Sequence, residues 1–387
     1  MSNHNLKPAT WRRASAPLSL AFVVGALTLS GCSTQPAEQT RRVDATSDPS
    51  SASIARRAFD FRDADIRVPN YFNTQGLDFC TFDVQNEHPN CPLYRPIVRM
   101  YFDSAMVEGE GFGVDAVREF DTRNLLNMLE NQFAGINRFR IVTRDDQVVS
   151  EEFETFRQQQ GEEALRQRQN EQRILAPDFV VKLDTLRSVK NQGSITGWMD
   201  YGLEITASVL NPFTRELMAY PNLGKVRVES ADVRDRRRLE YVTANDRYVS
   251  GFRYFDSAHV NSILNDMASR GIDILLTRML AEMPATAQVV GIRGDQISLD
   301  RGQNAGVLPN ETMIIFEYEA GFVTPLGVAE VTPSMTTAAG EIVRWKNSAD
   351  ARRVRAAASN GIYRPDAERR VFAVSVGAPY TFLRDRT

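Results

Sequence analysis

From residue 97 onward the apolar positions switch between two periods. Ile97–Phe102 is apolar enough for a strand. Residues 113–134 carry Leu125, Leu126, Leu129 and Phe133 as one stripe, which predicts a helix, and 139–142 a short strand. Residues 150–175 are almost wholly polar and helix-forming, with Ser150 as a cap, Phe153 and Phe156 as an apolar anchor and Pro177 beyond the end. Such a helix bridges solvent or packs on a partner, so Phe153 and Phe156 are candidate partner-binding residues. Residues 179–186 alternate as a strand with Phe179, Val181, Leu183 and Thr185 on one face. Residues 203–210 do so with Leu203, Ile205, Ala207 and Val209. Asn211-Pro212 starts a turn, and 217–220 reads as the return strand. Residues 258–283 form a strong amphipathic helix, with Val260, Ile263, Leu264, Met267, Gly271, Ile274, Leu275 and Met279 facing the core and Pro284 closing it. This order predicts an α/β domain over 96–286, a three-layer-like α/β sandwich with a mixed sheet.

From 287 to 345 the texture changes to short strands and Gly turns: 289–292, 296–299, 312–318 and 326–331. This predicts a small, separate all-β domain, SH3-like or barrel-like. Residues 346–387 read as an Arg-rich tail around one apolar strand at 371–376. Its arginines, Arg352 and Arg353 foremost, are either a solvated surface or a contact to an acidic glycan, lipid headgroup or acidic partner. Residues 56–95 are irregular and rich in Asn, Pro and Asp, an extension expected to be stapled onto the α/β domain.

The N-terminus changes where this body is expected to work. Lys7, Arg12 and Arg13 precede an apolar run over 18–29, too short to span a membrane as a helix but of signal-peptide length. The run ends Leu29-Ser30-Gly31-Cys32, which looks like a bacterial lipobox, with Cys32 the acylated residue. Ser33 rather than Asp follows the cysteine, which by resemblance to enterobacterial sorting favours the outer membrane. The expected partner of Cys32 is therefore outer-membrane lipid, with the body facing the periplasm. Residues 32–55 read as a disordered tether. Loss of residues 1–31 takes three Lys/Arg and no Asp/Glu, so the net charge moves from −3 to −6, which argues against a nucleic-acid partner.

In an oxidising periplasm Cys80 and Cys91 are expected to form a disulfide; zinc shared with His88 is the alternative, short of a fourth ligand. No Gly-x-Ser-x-Gly, Walker loop or His-Glu-x-x-His is present, and the remaining histidine of the mature chain, His259, opens a helix. We therefore expect no enzyme, no catalytic residue, no metal and no cofactor.

Three stretches resemble the curli-secretion-channel (CsgG-type) lipoprotein family. They are the run Asn137-Arg138-Phe139-Arg140-Ile141-Val142, the sequence SVLNPFTREL at the turn after residue 207, and SGFRYFDSAHVNSIL from Ser250. Peptidoglycan-synthase activator lipoproteins share that fold. Residues 295–331 look like the C-terminal β-domain of flagellar outer-ring proteins. The resemblance implies a homo-oligomer that works with envelope assembly proteins on a surface structure: a curli-like fibre, a polysaccharide or a flagellar ring. Channels of this family insert two β-hairpins per subunit, here within 187–202 and 225–255. The first gap carries Arg187, Lys190 and Asp200 and is too short for two spanning strands unless it borrows from the flanking core strands. The second offers only Val226 and Val228 on its outbound half. The expectation is therefore a periplasmic scaffold or ring rather than a pore. An activator reaching a synthase through the tether is the other class.

Overall fold

The computed structural model describes residues 56–385, apart from 71, 83–87, 89, 103–106, 110–121, 143–153, 156, 164–175, 193–198, 219–222, 234–238, 243–246 and 251–256. The apolar runs read above become two sheets. The first contains β1 (Ile97–Phe102), β2 (Val107–Gly109), β3 (Arg140–Ile141), β4 (Phe179–Gln192), β5 (Met199–Leu210) and β6 (Lys225–Glu229). Its order is β3-β1-β4-β5-β6, with β2 beside β4. β1 runs parallel to β3 and β4, and the β4–β5–β6 pairs are antiparallel. The sheet is thus mixed, as the alternating strand and helix signals predict.

Two helices cover one face of it, α1 (Thr122–Gly135) and α3 (Ser257–Glu282), with the single turn α2 (Ser230–Val233) before β7 (Leu239–Val242) and β8 (Arg247–Ser250). Gln132 Nε2 of α1 donates to Ser269 Oγ of α3 at 2.9 Å. Leu125, Leu129 and Phe133 from α1 meet Val181, Leu183, Leu203, Ile205, Val226 and Val228 in one core. The sequence suggests one apolar face for α3, yet every residue from 270 to 282 is buried. Its polar members there are tied down: Arg270 donates to the Leu383 carbonyl and Arg278 to that of Lys225. Gly271 permits the close approach of α3 to β5, because a Cβ there would lie 2.6 Å from Ile205 Cδ1.

Four expectations change. Where it is described, the return strand expected at 217–220 makes one bridge, Leu210 to Leu217; on the side of β5 away from β4 the pairing strand is β6. Val226 and Val228 therefore belong to the core and not to a membrane hairpin. β4 does not stop near 186 but runs to Gln192, paired with β5 out to Met199. The polar helix over 150–175 is not continuous where it is described: Gly161, at φ 89°, ends the turn 157–160, its N–H donating to the Arg157 carbonyl. Phe153 and Phe156 lie outside the described residues, as do Leu29, Ser30, Gly31, Cys32 and Ser33.

The second sheet closes on itself. β9 (Thr286–Arg293), β10 (Gln296–Leu299), β11 (Glu311–Glu319), β12 (Phe322–Pro333), β13 (Ala338–Trp345) and β15 (Arg370–Ser375) run in the order β10-β13-β12-β11-β15-β9, and β9 pairs back with β10. This six-strand barrel also carries β14 (Ile362–Tyr363) beside β9. Register shifts at Ile315/Phe316, Val328/Ala329 and Ser298/Leu299 supply the bends that closure needs. β15 lies between β11 and β9, and α4 (Ala349–Ser359) packs Ala351, Val354 and Ala358 into the barrel core. The Arg-rich segment after residue 345 is thus part of the barrel domain rather than a tail. α5 (Phe382–Asp385) returns to the core of the first sheet.

β11 is buried along almost its whole length because both its faces are covered. Met313 and Ile315 point into the barrel, while Ile314, Phe316 and Tyr318 point out. The outer face is covered by the extension, through Ala58, Phe61, Ile66, Leu77, Cys80, Cys91 and Leu93. The extension therefore staples onto the barrel and not onto the α/β domain that follows it in the chain. The physical reason is the second apolar face of β11, β12 and β15, which no other described element hides. Cys80 and Cys91 are disulfide-bonded. Arg370 pins the same loop, donating to the carbonyls of Leu77 and Cys80, and Tyr318 donates to Asp78 at 2.9 Å.

Candidate functional site

The joint between the two domains starts at Asn137-Arg138. Asn137 takes a left-handed φ of 58°, which turns the chain from α1 into β3 and aims Arg138 at the barrel. Arg138 NH2 meets Glu311 Oε1 at 2.6 Å, with both side chains almost fully buried, 3% and 0% exposed. Arg138 Nε donates to the Gly306 carbonyl, and the Leu308 N–H donates to Glu311 Oε2. Arg95 adds bonds to the carbonyls of Asn304 and Phe139. The carboxylate and guanidinium are thus multiply bonded, the condition under which a buried pair is tolerated. Gly306, at φ 79°, stands so close that a Cβ would come within 2.4 Å of Arg138 Cα.

Beside this joint lies a cleft of about 250 Å³. Its walls come from the extension (Phe72, Pro92, Tyr94), the start of β4 (Phe179) and the link from α3 to β9 (Met283, Pro284). The lining is mixed: beside these apolar walls stand Arg95, Arg138, Glu282 and Thr286, the last three buried. Burial and the neighbouring Asp178 carboxylate push the Tyr94 phenol up, so it stays protonated and donates. A cleft of this size admits one large side chain and is small for a drug-sized ligand or cofactor.

A rigid turn stands at the same end of the first sheet. Val180 pairs with Leu210, which places Phe179 opposite Asn211. Asn211 Oδ1 accepts from the N–H groups of Phe213 and Thr214, Arg215 N–H donates to the Asn211 carbonyl, and Glu216 N–H donates to Thr214 Oγ1. Arg215 takes a left-handed φ of 60°. The turn holds Phe213 and Leu217 outward, 71% and 67% exposed. Sequence reading placed a turn here without seeing that it presents two apolar side chains. The signal was available: Phe213 and Leu217 fit no core stripe.

The other sequence candidates separate. Arg353 is engaged within the fold, NH2 meeting both Glu317 carboxylate oxygens at 2.7 and 2.8 Å, which holds the guanidinium charged. Arg352 is exposed and donates to Asn347 Oδ1. His88 stacks on Phe79 and its Nδ1 accepts from the Asn90 N–H, while both cysteines are consumed by the disulfide, so the three do not converge on a metal.

Beyond Ser188 and Gly202 the β4–β5 arm pairs Lys190 with Tyr201, Asn191 with Asp200 and Gln192 with Met199, so each level carries a polar residue. Among the described residues, β7 and β8 pair from Leu239/Ser250 to Val242/Arg247. Among the described residues, no helix is long and apolar enough to cross a membrane. No known family model matches this chain, and no curated protein matches it in sequence.

Proposed function

We propose that the chain is a non-enzymatic outer-membrane lipoprotein, acylated at Cys32, that serves as an oligomeric periplasmic scaffold or ring component for a cell-surface structure. In this reading the first sheet with its helices is an α/β sandwich of the curli-channel kind, and the barrel is an SH3-like module of the flagellar outer-ring kind. The observation that carries it is the β4–β5 arm. It runs past the strands that flank it, as a contact arm does, and each of its last three levels, Lys190/Tyr201, Asn191/Asp200 and Gln192/Met199, carries a polar residue. A transmembrane β-strand needs an apolar band on alternate residues, and a charged residue at the midplane costs about 2–4 kcal/mol. The arm therefore favours a contact with protein or water over one with lipid.

A pore of the curli-channel type is the second reading, favoured by length alone. β4 spans 14 residues and β5 spans 12, whereas a spanning strand needs about 9–11. The full chain extracted in mild detergent tests both. Scaffold behaviour gives an oligomer or ring by light scattering and negative-stain microscopy, with no conductance when reconstituted into vesicles. Discrete conductance steps would replace the scaffold with the pore. A strict monomer would remove both and favour the synthase-activator class. Intact-mass measurement of the wild type against Cys32→Ser checks the anchor, with loss of the acyl mass expected in the variant.

A further inference from the structure

We infer that the 211–217 turn of one copy docks in the cleft of a second copy, with Phe213 as the knob and the cleft at the domain joint as the hole. This rests on the reading that copies of the chain associate, and it names the contact by which they do so.

The turn is built to present Phe213. Asn211 closes it from both sides, accepting through its side chain and carbonyl and donating its own N–H to the Glu216 carbonyl at 3.0 Å. A side chain held on a hydrogen-bonded turn loses little freedom on binding, which is what makes a preorganised aromatic an effective anchor. Within its own chain Phe213 has no such use, being 71% exposed, and Leu217 beside it is 67% exposed. Two large apolar side chains on one tight turn form a patch rather than scattered single residues.

The cleft matches the knob in size. Its volume of about 250 Å³ suits one aromatic ring, and Phe72, Pro92, Phe179, Met283 and Pro284 give it apolar walls beside the polar Arg95, Arg138, Glu282 and Thr286. The ring would meet Phe72 and Phe179, the pairing that aromatic side chains favour. Knob and cleft flank each other, since Phe179 lines the cleft and stands opposite Asn211. Each copy carries both knob and cleft, so copies are joined head to tail, and a heterologous contact of this kind closes into a ring where the rotation between copies allows it.

The test uses the full chain in mild detergent. Phe213→Asp should abolish this association, lowering the mass by light scattering, while the circular dichroism spectrum of the variant stays that of the wild type because Phe213 supports no core. Independently, a Phe213→Cys chain mixed with an Asn73→Cys chain, Asn73 being an exposed residue on the cleft rim, should give a disulfide-linked pair containing one of each. An oligomer whose mass is unmoved by Phe213→Asp and that gives no 213–73 cross-link overturns this contact and leaves the oligomeric scaffold standing. A wild-type chain that is monomeric and does not cross-link overturns both.

Discussion

Arg138 shows what a single side chain decides in this molecule. It crosses from the loop before β3 to Glu311 at the start of β11, and neither partner has water to fall back on. Truncating one partner of such a pair leaves the other charge buried and unpaired, which costs about 3–5 kcal/mol. Arg138→Met is therefore expected to lower stability by that amount in urea titration. The double variant Arg138→Met/Glu311→Met should recover much of the loss, because the burial penalty goes with the charge. A double variant no more stable than the single one would show that the backbone bonds to Gly306 and Leu308 matter more than the charge. Gly306 is constrained at the same joint. Gly306→Ala meets both a positive φ and the Arg138 backbone, so it should destabilise by more than the roughly 1 kcal/mol typical of a strained glycine site. A melting temperature within a degree of wild type would contradict that. Sequence reading found the Asn137-Arg138-Phe139 run by resemblance but gave Arg138 no partner, because Glu311 lies 173 residues away. No local spacing connects them.

Elements whose apolar period stands on its own were legible. β1 begins and ends where its pattern does, and α3 matches its stripe to within one residue at each end. The errors fall where packing from distant segments decides. Leu217 was assigned to a strand because it is apolar near a turn, whereas β5 takes its partner from Lys225–Glu229. The barrel could be read only in part, because β15 reaches its place between β11 and β9 across α4, and a sequence does not show which distant strand closes a barrel. The extension was placed on the wrong domain for a similar reason: its few apolar residues have no period. Its attachment depends on the disulfide and on Arg370. Loss of a disulfide closing a loop of this size costs about 2–4 kcal/mol. Cys80→Ala/Cys91→Ala should lower stability by that amount and open cleavage sites within residues 56–95 to limited proteolysis while the barrel stays resistant. Equal resistance of both would show that Arg370 and the apolar contacts suffice.

At the scale of the molecule, the chain order and the packing order disagree. The extension precedes the α/β domain in sequence, yet it completes the surface of the barrel that follows that domain. Ile314, Phe316, Val328, Phe372 and Val374 form a contiguous apolar face that is buried only because residues from 58 to 93 lie over it. Soluble monomers rarely leave more than a few hundred Å² of contiguous apolar surface open. The barrel therefore cannot be finished until both ends of the chain exist, and the contacts that finish it are of very long sequence separation, which slows folding and exposes the face meanwhile. The cleft at the joint shares this origin, being assembled from 72–96, 138, 179 and 282–305, so no single stretch of sequence announces it. A fragment of residues 285–387 tests the dependence. It contains every strand of the barrel but not its cover, so it should bind a hydrophobic dye strongly, whereas the full chain should not. Adding a peptide of residues 56–95 with its disulfide formed should quench the dye signal by covering the same face. A fragment that stays dye-silent without the peptide would mean that the barrel hides this face by itself, and that the extension is held there for some purpose other than burial.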